Sequence, residues 1–149
     1  MQKIVADTSV IINGFITNQI ESKALAADLI IPVAALDELQ AQASQGKEQG
    51  FVGLEEIKKI QKLCQANNIK IDFVGVRPSL EDIRLAKHGR IDAIIKDVAK
   101  QTNATLYTAD YVQGLTAEAE GISVMYQRTE RPTTELEFLR LDRKSTRLN

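Results

Sequence analysis

At 149 residues the chain has the length of one domain, and its formal net charge of −1 argues against holding nucleic acid through a broadly basic surface. Nucleic acid is not thereby excluded, because metal ions held by carboxylates neutralise phosphates locally. No apolar run approaches the roughly 20 residues that span a bilayer, no signal-peptide pattern precedes the first strand, and the single Cys64 has no cysteine to pair with, so the expected setting is cytoplasmic with no membrane partner.

Ile4, Val5 and Ala6 form an unbroken apolar run, as in a parallel strand covered on both faces, and put Asp7 at the strand end. Thr8 or Ser9 stands where it can cap a helix implied by Val10 to Ile16. Thr17 to Asp28 is polar and partly helical, and Leu29 to Ile31 reads as a second buried strand. Pro32 then opens a helix over Val33 to Ser44, with Val33, Leu36, Leu39, Gln40 and Ala43 on one side and Asp37 and Glu38 on the flanks. A loop from Gly46 to Gly50 leads to a helix over Val52 to Ala66. There Leu54, Ile57, Ile60 and Cys64 share a stripe, which makes Cys64 a small core hydrophobe.

Ile69, Ile71 and Phe73 alternate with polar residues, a pattern for an edge or half-buried strand. Ser79 and Asp82 form a capping box for a helix that Gly89 stops, with His88 as a solvated helix-end residue. Ile91, Ile94, Ile95 and Val98 recur at i, i+3, i+4 and i+7, the strongest helical signal in the chain. Asp92 falls roughly 80° from the centre of that face, at its border, and Asp97 roughly 140° away, in solvent. Ala104 to Thr108 is a fourth strand closely followed by Asp110, Tyr111 to Glu120 a helix ended by Gly121, and Ile122 to Tyr126 a fifth strand. Such alternation predicts an α/β fold, a parallel sheet with right-handed crossovers, in which Asp7 and Asp110 share one rim if their strands are neighbours. Ligands bind at that rim in open α/β sheets.

Four segments carry a family likeness: Val5-Ala6-Asp7-Thr8-Ser9, Ile31 to Leu39, Gly89 to Ile95, and Tyr107-Thr108-Ala109-Asp110. In this order the chain resembles the PIN domains, metal-dependent nucleases with a Rossmann-like sheet. The resemblance implies a three-layer α/β/α fold around a central parallel sheet of about five strands, with the PIN domain over residues 1–128. It implies that Asp7, Glu38, Asp92 and Asp110 are both the catalytic residues and the metal ligands, and it selects Glu38 over Asp37, which periodicity leaves open. Thr8, Ser9 and Thr108 match positions that support the acids or their waters, while the nearby bases Lys87, Arg90 and Lys96 are candidates to hold an RNA backbone.

Four oxygen-donor carboxylates suit Mg²⁺, with Mn²⁺ as the alternative, and argue against a zinc site built from Cys and His. The implied reaction is phosphodiester hydrolysis in single-stranded RNA. Its rivals are a non-catalytic RNA-binding or assembly domain of a larger ATPase, and a toxin-type PIN ribonuclease. A receiver domain is disfavoured because Thr8-Ser9 replaces the acid pair it needs after strand one. Homo-oligomerisation is a further implication of the family likeness.

More narrowly, the long helical pair and Thr133 to Leu141 resemble the start of archaeal proteins that continue into a secretion-type ATPase and a KH-like RNA-binding module. Residues 129–141 then begin a linker to that C-terminal region, for which no Gly-x-x-x-x-Gly-Lys-Ser/Thr loop occurs here. The octapeptide at 142–149, Asp-Arg-Lys-Ser-Thr-Arg-Leu-Asn, reads as a translated sequencing adapter.

Overall fold

The computed structural model describes residues 2–77 and 88–127. In chain order they form β1 (Lys3–Ala6), α1 (Thr8–Ile12), α2 (Phe15–Glu21), β2 (Asp28–Pro32), α3 (Val33–Ser44), α4 (Glu48–Ala66), β3 (Ile71–Val74), α5 (His88–Thr102), β4 (Thr105–Thr108), α6 (Tyr111–Ala119) and β5 (Val124–Tyr126). The five strands make one sheet in the order β3-β2-β1-β4-β5, and every pairing is parallel. Together with the six helices among the described residues, this is the parallel α/β sheet that the alternation predicts and the three-layer arrangement that the family likeness implies. The chain winds outward from β1 to β3, then returns to place β4 on the other side of β1. The β1/β4 pair is therefore the switch point, where an open sheet leaves a crevice at its carboxyl rim.

The centre of the sheet is dry because its strands carry continuous aliphatic runs: Val5, Ala6, Leu29, Ile31 and Leu106 are fully buried. Strand β3 lies at the sheet edge, as its alternating pattern allows, but its burial does not alternate: Ile71 and Val74 are half-buried, whereas Phe73 is exposed. Helix α5 docks through Ile91, Ile94, Ile95 and Val98, all buried, each contributing about 1.5–3 kcal/mol of transfer free energy. Asp92 is half-buried at the margin of that face and Asp97 is exposed, as their angular positions require. Cys64 is buried in the core from α4 beside Ile57 and Ile60.

Several local expectations are corrected. The first helix is two pieces, because Gly14 adopts φ +82° between α1 and α2. On α3 the buried positions are Ala34, Ala35, Asp37 and Leu39, whereas Gln40 is exposed. Burial of Asp37 is compensated by Arg77 Nη1, which donates to its Oδ1 at 2.6 Å. Helix α4 starts at Glu48, so Gly50 belongs to the helix and not to the loop. A β-carbon on Gly50 would meet the backbone of α3 at Ala43 N and, at 2.7 Å, Leu39 O, so the two helices lie together only because that atom is absent. His88 and Gly89 begin α5 instead of ending the preceding helix. The capping box at Ser79 and Asp82, Lys87, and residues 128–149 lie outside the described residues. Lys96 is buried and bound to Glu120 Oε2 at 2.9 Å, so it ties α5 to the end of α6 and is not a solvated helix residue.

Candidate active site

Asp7 follows β1 directly, and its backbone N–H still donates to Tyr107 O at 3.0 Å, so the acid leaves the sheet alongside the end of β4. The residue is 4% exposed. A buried carboxylate needs donors, and the β4 end supplies one: Thr108 Oγ1 donates to Asp7 Oδ2 at 2.7 Å. Ser9 Oγ donates to the same oxygen at 3.0 Å. Burial pushes the Asp7 carboxyl above its ordinary value of 3.8, the Thr108 and Ser9 hydroxyls and the Thr8 amide pull it back, and the charge of Asp110 adds to the rise.

The same hydroxyls lock the neighbouring loop. Thr108 Oγ1 accepts the Asp110 N–H at 3.0 Å, and Ser9 Oγ accepts the Ala109 N–H at 3.0 Å. Asp110 is the N-cap of α6, its Oδ1 accepting from the amides of Val112 at 3.0 Å and Gln113 at 3.2 Å. Thr8 reaches across to α3, donating from Oγ1 to Glu38 Oε1 at 3.1 Å. Neither Thr8 nor Ser9 caps α1, whose N-cap is Asp7. Buried Gln113 closes the circuit by donating from Nε2 to the backbone oxygen of Asp92 at 3.4 Å. Three cross-links thus join the segments that carry the four acids.

Asp7, Glu38, Asp92 and Asp110 line one cavity of about 170 Å³ at the switch point. Asp37 does not line it and pairs instead with Arg77. Arg90 does not line that cavity but a different one, together with Arg77 and Asp97. Sequence reasoning missed Gln42 and Gln49, which also line the acidic cavity. The signal for Gln42 was its position four residues after Glu38, on the same face of α3. No comparable signal marks Gln49 or Gln113.

Among the described residues no three His, Cys, Asp or Glu side chains converge closely enough to grip one ion together. The donor chemistry nevertheless fits a hard divalent cation, since Mg²⁺ keeps several waters and takes only one or two carboxylates directly. The cavity has room for such an ion with waters. One wall residue, Gln42, has its Oε1 buried without a hydrogen-bond partner among the described residues. No helix among the described residues is long and apolar enough to cross a membrane.

The fold agrees with comparisons to known proteins. An uncharacterized KH and PIN-domain containing protein of Methanocaldococcus jannaschii is 43% identical over 136 residues, covering 91% of this chain and 21% of that protein. The Holliday junction branch migration ATPase PINA of Sulfolobus acidocaldarius is 22% identical over 134 residues, covering 90% of this chain and 24% of the ATPase. The chain thus spans about a fifth to a quarter of the length of these curated relatives. A solved domain of a functionally unknown protein from Methanocaldococcus jannaschii superposes with a TM-score of 0.85 at 42% identity, covering 92% of this chain and 99% of that domain. The PIN domain family model matches residues 4–119, and with a parallel five-stranded sheet whose switch point gathers four acids, the chain belongs to the PIN-domain family, generally a metal-dependent nuclease fold.

Proposed function

We propose that this domain is a metal-dependent endoribonuclease that hydrolyses phosphodiester bonds of single-stranded RNA, with Asp7, Glu38, Asp92 and Asp110 as the residues that hold Mg²⁺ or Mn²⁺. The observation that carries the reading is the gathering of these four carboxylates, from four separate segments, on one cavity at the β1/β4 switch point. When bound, the cation supplies Lewis acidity, lowering the pKa of an attacking water and offsetting charge on the phosphate.

The chain's own residues orient and exclude. Ser9 and Thr108 aim the Asp7 carboxylate by holding its Oδ2. Thr8 does the same for Glu38, and the α6 cap engages Asp110 through Oδ1, which leaves Oδ2 for a ligand. Glu38, half-buried on α3, orients the nucleophile or ligates. Arg90 in the first turn of α5, with Lys87 just before that helix in sequence, supplies positive charge to the RNA backbone. The relatives whose names include KH or ATPase support a second element of the proposal, that the domain works as one part of a longer protein.

Cleavage of a labelled single-stranded RNA, with Mg²⁺ or Mn²⁺, with chelator, and with Asp7→Asn alongside, tests the reading. Metal-dependent cleavage lost in Asp7→Asn is the expected result. Cleavage that persists in chelator or in the variant would refute it.

A further inference from the structure

We infer that Gln42 is a hydroxyl-reading residue of the acidic cavity, its Oε1 accepting a hydrogen bond from an O–H group that the ligand brings. This rests on the reading of the cavity as a cation and RNA site. Gln42 lines the cavity from α3, one turn beyond Glu38, and Gln49 lines it from the first turn of α4, so two uncharged amides stand in the wall beside the four acids, Thr8, Ser9 and Ile12. Buried polar atoms are nearly always paired. Oε1 of Gln42 is buried and finds no partner among the described residues.

The chemistry of the missing partner is restricted. An amide oxygen only accepts, as do ionised carboxylates and phosphodiester oxygens, so neither the neighbouring acids nor the scissile phosphate can satisfy it. An O–H donor can. Two sources present one here: water in the shell of a hydrated divalent cation, and the ribose 2′-hydroxyl, the group by which RNA differs from DNA. A carboxamide at this point reads either without adding charge to the cavity.

The experiment uses Gln42→Leu, with Gln42→Met as a second variant of similar volume should leucine perturb folding. Three probes are titrated against each protein: Mg²⁺ alone by calorimetry, and a labelled decamer of uridine or of deoxyuridine by fluorescence anisotropy with Ca²⁺ as the cation. Removing an unpaired buried acceptor should leave the metal-free melting temperature at or above that of the wild type. At least fivefold weaker Mg²⁺ binding would assign the donor to the cation's water. A fivefold loss confined to the ribose decamer would assign it to the 2′-hydroxyl. Equal affinity of variant and wild type for all three probes overturns the inference while leaving the acidic site intact. A wild-type protein that binds neither Mg²⁺ nor either decamer overturns the inference together with the reading of the site.

Discussion

Replacing Thr108 by valine separates a hydroxyl that holds a buried charge from one that merely fills space. The exchange keeps the branched shape at a residue with 0% exposure, so the change is chiefly the hydroxyl. Lost are the 2.7 Å donation to Asp7 Oδ2 and the acceptor for the Asp110 N–H at 3.0 Å. A hydrogen bond to a charged group contributes about 1.5–3 kcal/mol and a neutral one about 1 kcal/mol, so the cost with Asp7 ionised is about 2.5–4 kcal/mol. With Asp7 protonated, the cost falls towards about 1 kcal/mol per remaining neutral bond.

The sign of the pH dependence follows from Asp7, whose carboxyl is raised in the folded state chiefly by burial. A folded state that keeps its proton longer than the unfolded chain loses stability as pH rises from the ordinary value through the raised one. Thr108→Val removes one of the bonds that lower that value, so the damage it does should grow with pH across the same window. Urea denaturation in chelator, at neutral pH and at a pH low enough to protonate Asp7, measures the difference, and titrations common to both proteins cancel. Repeating the pair in an Asp7→Asn background should shrink the neutral-pH cost. An equal cost at both pH values and in both backgrounds would refute the assignment.

Asp110→Asn keeps a good N-cap residue but removes the charge that helps raise Asp7, so carboxyl NMR in chelator should show the Asp7 midpoint moving down; an unmoved midpoint would uncouple the two acids. Gly50→Ala gains about 1 kcal/mol of helix propensity but sets a β-carbon against the backbone of α3, where overpacking costs about 3 kcal/mol, so the net effect should be destabilisation by about 2 kcal/mol in urea melts. Stability equal to wild type would mean that α3 and α4 separate without cost. Mg²⁺ at 100 times its dissociation constant should stabilise the folded chain by about 2.7 kcal/mol, and Asp7→Asn should lose most of that shift. A metal-induced rise in melting temperature that survives in Asp7→Asn would place the ion elsewhere.

Much of this protein was legible in one dimension because its local signals agree. Aliphatic runs long enough for buried strands alternate with helical periodicities, which specifies a parallel sheet. The i, i+3, i+4, i+7 face of α5 even located Asp92 at a margin and Asp97 in water. Acids at strand ends could be seen as candidates, and the family likeness grouped four of them. Side-chain partners could not be read this way, since they depend on which strands become neighbours. Only the placement of β4 against β1 brings Thr108 to Asp7, a pair 101 residues apart, and turns two hydroxyls from expected caps and supports into the donors of a buried carboxylate. The close crossing of α3 and α4 similarly decides that Gly50 is a packing residue and that Gln42 and Gln49 face the acids. Periodicity reports how one element meets water. The identity of what it meets on its buried side is a property of the tertiary fold alone.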